Sequence, residues 1–467
     1  MAIRDASALD DNPPPGGRAT GAGWYNAVWR WHFYAGLFCI PFVTWLALTG
    51  TIYLWRPQLE AWLDRPYDRL PVAGQASSPD AQVHAALRAI PGSSLHKYVL
   101  PEHAGAAVRV IVTAGGGDKR VYVDPHSLAV LHVIGEDDRP LNVVSRLHGE
   151  LLAGAWGSYL VEIAGCWAIV MLLTGLYLWW PRGRKGLAGV LYPRLRGGRR
   201  LFWRDIHATA GIWVSVFALG LILTGLPWAS AWGSYLGEVR ELTGTAEGPV
   251  DWTIGGKAPT PKADAMLGPH AGHGGMVMAA PPVRRGELAR VIATVRPLRI
   301  APPVLLTPPE HEGRPWAISS DAADRPLRSD AQVDGASGRL LGRVDFADRH
   351  WIDRLVGYGI AAHEGALFGI ANQILGTLTA LFLIVLAVSG AIMWWRRRPI
   401  GLLGAPLPLA RPRFRNGLVA AIVALGAYMP MFGVTLVVVL AAEMTVLRHL
   451  EDTRRWLGLR ASYVSAT

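Results

Sequence analysis

The sequence predicts an α-helical integral membrane bundle, with four core transmembrane helices in two repeats plus a C-terminal hydrophobic helix, and two small α+β domains outside the membrane. Three observations predict it: long apolar runs, basic residues confined to two short loops, and an internal duplication. Of 467 residues, 51% are apolar, 17% are charged and 20 are tryptophan. The apolar runs are Trp31 to Trp55, Trp156 to Trp180, His207 to Trp232 and Ala366 to Trp395. Each reaches the roughly 20 residues that cross about 30 Å of hydrocarbon. Trp55, Trp156, Trp180 and Trp395 lie at run ends, where indole rings suit the water–lipid interface.

The net charge of +11 is unevenly spread. Pro181 to Ile206 holds eight Lys/Arg and one acid, and Arg396 to Arg415 holds six Arg and no acid. Between residues 233 and 362 fifteen bases meet fifteen acids, and residues 56 to 147 are likewise near balance. Short basic loops mark the cytoplasmic side, so the expectation is a multi-pass membrane chain with its amino terminus in the cytoplasm. The same distribution leaves nucleic-acid binding with nothing to explain. Cys39 and Cys166, the only cysteines, both fall inside apolar runs. That excludes a disulfide framework, a Cys-rich zinc site and an iron–sulfur cluster on four thiolates. No C-x-x-C-H offers covalent haem attachment.

Taken in order, residues 1–23 are rich in Pro, Gly, Asp and Ala and read as a disordered tail. Transmembrane helix 1 (24–56) acts as an uncleaved anchor, because its run is too long for a signal peptide. External domain 1 (57–147) opens with an amphipathic helix at Pro79 to Ile90, N-capped by Ser78, before strands in HKYVL, AVRVIVT, KRVYVD and AVLHVI. Transmembrane helix 2 (148–181), a basic loop (182–206) and transmembrane helix 3 (207–232) come next. External domain 2 (233–362) has its helix at Gly286 to Val295, strands in PVLLT, RPWAIS, RSDAQVD and RLLGRV, and a Gly/Pro/His/Met insertion. Transmembrane helix 4 (363–396) leads to a second basic loop (397–415). The C-terminal hydrophobic helix (416–447) contains Pro430, and a tail (448–467) ends the chain. One crossing by that helix puts the carboxyl terminus outside, whereas the basic RHLEDTRRWLGLR argues for inside, and the sequence leaves both open.

The duplication is read from spacings. His32 and His207 each have a glycine four residues on (Gly36, Gly211) and a Leu-Thr-Gly ending 18 on, at Gly50 and Gly225. His148 and His363 each have a glycine 27 residues on (Gly175, Gly390) and a Trp-Trp pair beginning 31 on. His32 and His207 therefore share the inner face, and His148 and His363 the outer. Two imidazoles at one depth on different helices can supply both axial ligands of a b-type haem. Six-coordinate iron suits electron transfer. Gly36 and Gly211 lie one turn on, where the missing side chain lets a flat macrocycle approach. Arg30, Arg204 and Arg146 are candidate partners for haem propionates. A lone histidine at a helix end is more simply an interfacial or capping residue, but two symmetric pairs are not. Zinc fits less well, with two nitrogens per layer and no adjacent Cys or carboxylate set. Glu150 and Glu364 break the repeat spacing.

In the insertion, GPHAGHGGMVM brings together His270, His273, Met276 and Met278. It reads as a weak copper or transition-metal cluster, or as a flexible linker. No G-x-G-x-x-G after a strand and no P-loop occur, so flavin, nicotinamide and ATP sites are not expected.

Over about residues 24–400 the chain resembles the PepSY-associated transmembrane family, which includes bacterial inner-membrane siderophore reductases and iron-regulated proteins. The resemblance rests on WRWHFYAGL, SRLHGELLAG, LLTGLYLWWPR, WRDIHATAG, AAHEGALFG and VSGAIMWWRRR. VYVDPHSLAV and AQVDGASGRLLG are similar to the strand–turn–strand of its external PepSY domains. The resemblance implies a ferric-siderophore reductase: His32 with His207 would bind an inner haem and His148 with His363 an outer one. Electrons would pass from quinol or a separate reductase to a ferric siderophore or other ferric chelate. The competing readings are a non-catalytic PepSY scaffold that binds a peptide, peptidase or envelope partner, and an importer of the chelate. An importer calls for broken or polar segments at mid-membrane, of which the runs show little beyond Pro41.

Overall fold

The duplicated spacings correspond to duplicated elements in the computed structural model, which describes residues 19–72, 74–182, 186–196, 198–246, 284–311, 313–409 and 416–459. The first half comprises α1 (Ala19–Leu54), α2 (Arg56–Asp64), α3 (Pro79–Ala89), strands β1 (Ser94–Leu100), β2 (Val108–Ala114), β3 (Gly117–Val123) and β4 (Val130–Gly135), α4 (Pro140–Glu150) and α5 (Gly154–Trp179). The second half repeats the order. It runs α6 (Arg199–Gly225), a 3-10 turn at Leu226–Trp228, α7 (Ser230–Leu242), α8 (Glu287–Val295), β5 (Val304–Thr307), β6 (Trp316–Ser320), β7 (Ser329–Val333), β8 (Leu340–Asp345), α9 (Trp351–His363) and α10 (Ile370–Arg397). Then come α11 (Asn416–Tyr428), α12 (Pro430–Ala442) and α13 (Glu451–Leu457).

Among the described residues, five helical segments are long and apolar enough to cross a membrane: Gly23–Leu54, Gly154–Trp179, Arg199–Trp228, Ile370–Arg397 and Pro430–Leu447. Leu48, Val216, Leu381, Val388 and Val437 on them are exposed, as side chains facing lipid would be. The chain divides into two compact units, and the division falls within the four long helices. One unit holds Met1–Val43, Ala164–Ser215 and Val385–Thr467; the other holds Thr44–Ile163 and Val216–Ile384.

In the second unit the eight strands form one antiparallel sheet, ordered β4-β3-β2-β1-β5-β6-β7-β8. The sequence led us to expect two separate small domains. Instead each meander gives up an edge: β1 pairs with β5 through Tyr98↔Leu306, Val99↔Leu305 and Leu100↔Val304. Joining the two edges satisfies backbone groups that a lone meander leaves open. One core results, with Val83 and Ala86 of α3, Leu288 and Val291 of α8, and Val110 and Ile318 of the sheet packed together. Ser78 caps α3, its hydroxyl accepting from the Ala81 amide at 3.3 Å.

The long helices also depart from the expected bounds. Residues 148–181 and 363–396 are each two helices, so His148 and His363 end short helices ahead of the spans. Leu151, Leu152 and Gly154 carry φ of 51°, 56° and 55°, which stops α4 and turns the chain into α5. The third run ends at Gly225 because Pro227 cannot continue the helix. Beyond it the chain forms α7, a helix the apolar pattern did not suggest.

In the first unit the C-terminal stretch, expected as one helix over 416–447, breaks at Met429 and Pro430. Gly426 and Gly433 would sit about 10 Å apart along a straight helix. Here a Cβ on Gly426 would lie 3.4 Å from the Gly433 Cα, so the chain doubles back. The buried tip packs on α5, where Trp167 meets Phe432 edge-on at 5.4 Å and donates its indole N–H to Thr435 at 3.1 Å. The chain entering and the chain leaving this hairpin both meet the N-terminal half of α1. Asn26 bonds Leu407 and Leu409, while Tyr34 and Arg30 donate to the Leu457 and Gly458 carbonyls.

Candidate functional site

Each unit holds one pair of the predicted histidines. In the first, the rings of His32 on α1 and His207 on α6 have centres 6.4 Å apart and planes at 78°. In the second, His148 at the end of α4 and His363 at the end of α9 have ring centres 6.3 Å apart and planes at 73°.

The four rings are held alike. His32 Nδ1 lies 3.0 Å from the Met171 carbonyl and 3.1 Å from Thr174 Oγ1 on α5. His207 Nδ1 lies 3.1 Å from both the Leu386 carbonyl and Ser389 Oγ on α10. His148 Nδ1 meets Thr49 Oγ1 at 3.0 Å beside the Leu46 carbonyl of α1, and His363 Nδ1 meets Thr224 Oγ1 at 3.1 Å beside the Leu221 carbonyl of α6. Each hydroxyl already donates to its own helix, to Val170, Leu386, Trp45 and Gly220 respectively. Carbonyl oxygens only accept, so every Nδ1 carries the proton and every Nε2 keeps its lone pair. A donated N–H of this kind fixes ring orientation and strengthens the nitrogen left for a metal.

A glycine follows each hydroxyl residue, and the histidine ring rests on it. A Cβ built on Gly175, Gly390, Gly50 or Gly225 would lie 3.0, 3.4, 3.1 or 3.1 Å from the Cε1 of His32, His207, His148 or His363. The sequence used these glycines only as markers of the duplication. The Thr/Ser-Gly dipeptide near one end of the apolar run in each of α1, α5, α6 and α10 was the available signal for the clamp. Gly36 and Gly211 touch no histidine: a Cβ there would meet Met171 Sδ at 4.0 Å and Leu386 Cδ2 at 3.6 Å, ordinary contacts. Trp228 adds an edge-on ring 5.6 Å from His363.

A metal bound at about 2 Å by each of two imidazoles, whose nitrogens sit about 1.1 Å from their ring centres, puts those centres roughly 6.3 Å apart. Both pairs meet that separation, so donor chemistry and spacing fit an iron with two axial histidines. Among the described residues no group of three or more His, Cys, Asp or Glu is placed to hold a metal ion. The three arginines named as candidate propionate partners meet the following groups in the protein. Arg30 is tied to Pro406, Gly458 and Tyr34, Arg204 to Asp205 at 2.6 Å, and Arg146 is exposed. His270, His273, Met276 and Met278 lie outside the described residues.

No curated protein was found to match this chain. The model of the PepSY-associated TM region matches residues 29–397, a stretch that contains all four histidines and both halves of the duplication, and the chain belongs to that family.

Proposed function

We propose that this multi-pass membrane protein carries electrons across the bacterial inner membrane through two b-type haems and reduces a periplasmic ferric siderophore or other ferric chelate, releasing Fe(II). The carrying observation is the fourfold clamp: four histidines with protonated Nδ1 and bare Nε2, in two pairs with ring centres 6.4 and 6.3 Å apart. With two nitrogens per pair and, among the described residues, no further protein donor beside them, each pair would suit a metal carried in by a cofactor. His32 and His207 would hold the inner haem, His148 and His363 the outer one, with the amino terminus in the cytoplasm. When bound between these histidines, haem would supply a one-electron couple.

The chain's residues orient and insulate. The Nδ1–H bonds prevent ring rotation, and the glycines set each ring's depth. We read the two halves of the sheet as the PepSY-like domains that meet the chelate. Each electron converts one Fe(III) to Fe(II), which hard oxygen donors hold less tightly. A quinol donor would reduce two such irons in turn, passing to quinone and releasing two protons on its own side, whereas a separate reductase would supply the electrons singly. Reduction at the chelate itself needs no proton relay and no nucleophile.

The test is the absorption spectrum of the detergent-purified protein, oxidised and then reduced with dithionite. The expected result is a low-spin bis-histidine spectrum with two haems per chain. His32→Ala or His207→Ala should remove one haem, and His148→Ala or His363→Ala the other. A colourless, fully folded protein rejects the reading and leaves the scaffold alternative.

A further inference from the structure

We propose that Glu162 is a positioning residue for the outer histidine pair, tying the chain that carries His148 to the chain that encloses His363. This rests on the reading that those histidines hold the outer haem.

An ionisable side chain within a membrane helix is costly and calls for a reason. Glu162 lies on α5 inside the span Gly154–Trp179 and is only 3% exposed. Its Oε2 accepts the Ala231 amide at 2.9 Å and its Oε1 the Trp232 amide at 3.1 Å. Those are first-turn N–H groups of α7, which no carbonyl of that helix can satisfy. The N-cap residue, Ala229, has no side-chain acceptor, so the cap comes from another helix. One turn earlier on α5, Ser158 accepts from the Ser230 hydroxyl at 2.8 Å. A carboxylate at a helix N-terminus also meets the positive end of the helix dipole.

The gripped segment directly follows the one that boxes in His363. Thr224 binds that ring's Nδ1, Gly225 lies against its Cε1, and Trp228 closes on it edge-on. Three residues past Trp228, Glu162 holds the backbone. On the other side, α5 is locked to α4. A Cβ on Gly157 would fall 1.6 Å from the Glu150 carbonyl oxygen, so only glycine permits the contact. Glu150 stands two residues after His148. A continuous path therefore runs from His148 through Glu150, Gly157 and Glu162 to Ala231, Trp228 and His363. The far end of α7 is fixed as well, by Arg240 and Asp353 of α9 at 2.7 and 2.8 Å. The duplication sharpens the assignment. At the equivalent place in the second half, Thr377 on α10 accepts the Trp55 indole N–H at 3.1 Å and Gln373 donates to the Leu54 carbonyl at 2.8 Å. Neutral groups hold the start of α2 where a carboxylate holds the start of α7.

Metal–ligand distances tolerate only about 0.2 Å, so freeing one side of the pair weakens the bond it makes. The experiment compares wild type, Glu162→Gln and Glu162→Leu as full chains in detergent. Glu162→Leu should lose the outer haem to excess apomyoglobin about tenfold faster, the loss typical of a supporting residue. The inner haem should keep its wild-type rate and low-spin EPR signal. Glu162→Gln, whose amide oxygen still accepts, should fall between and serves if the leucine variant does not fold. Spin labels on Trp156→Cys and Tyr235→Cys should show a broader distance distribution in Glu162→Leu, with or without haem. An unchanged outer haem, or equal loss of both haems, overturns the proposal. A colourless wild type whose label distances still broaden in Glu162→Leu upholds the tether and rejects only the haem reading.

Discussion

Replacing Gly175 by alanine tests the clamp where it is tightest. The new Cβ would lie 3.0 Å from His32 Cε1 and 3.5 Å from its Nδ1. Carbon–carbon contacts are optimal at about 3.5–4.0 Å, so the ring must retreat by roughly 0.5 Å or more. Retreat lengthens the 3.0 and 3.1 Å bonds to Met171 and Thr174 and moves Nε2 relative to His207. That displacement matches the tolerance of about 0.5 Å within which a binding constellation stays productive. Overpacking of this kind costs about 1–3 kcal/mol. If the proposed haem occupies this pair, its affinity should fall roughly 5- to 150-fold at about 1.4 kcal/mol per decade. Alanine is the better helix former by up to about 1 kcal/mol, but that gain acts on folding with or without haem. Gly220→Ala, with nothing within 4 Å of its Cβ, controls for it. The assay is haem content and competition with apomyoglobin for each haem in Gly175→Ala. Full retention of the inner haem, or parallel loss of both, would falsify the clamp.

Three further outcomes are expected. Asp353→Ala should destabilise the protein by about 3–5 kcal/mol in a denaturant melt by stranding buried Arg240, whereas Arg240→Met with Asp353→Leu should recover most of it; equal losses would argue against a buried ion pair. Burial would raise the Asp118 carboxyl, but bonds from His96 and Thr113, each 2.7 Å, hold it below the ordinary range. A depressed folded-state value adds stability that is present above the usual carboxylate range near 4 and lost as pH falls through the lower folded value. Between about pH 6 and about pH 3 the melting temperature of wild type should therefore drop more than that of Asp118→Asn, and parallel curves would reject the assignment. Because α11 and α12 return to the side they leave, reporters fused to the two termini should report the same side of the membrane. Opposite sides would mean that Pro430–Leu447 crosses.

Legibility followed physical scale. The long runs were readable because covering hydrocarbon with satisfied backbone demands about 20 apolar residues in sequence, a property of composition. Pairing His32 with His207 and His148 with His363 was readable because duplication copies spacing. The partners of the arginines were not readable, because a guanidinium near a histidine in sequence takes whatever acceptor the fold presents. For Arg30 these are carbonyls of residues 406 and 458, far along the chain. Helix α7 was missed because its start is capped by Glu162 of another helix, not by its own flanking residues.

By itself, then, the sequence determined the number of long apolar segments, their twofold repetition and which histidines are equivalent, since each follows from local composition and from counting. Only the tertiary structure decided that Thr/Ser-Gly pairs on neighbouring helices set every histidine's tautomer and depth, that two meanders share one sheet, and that the last apolar stretch doubles back. Those outcomes depend on backbone groups from distant parts of the chain finding one another, and no local pattern encodes which will meet.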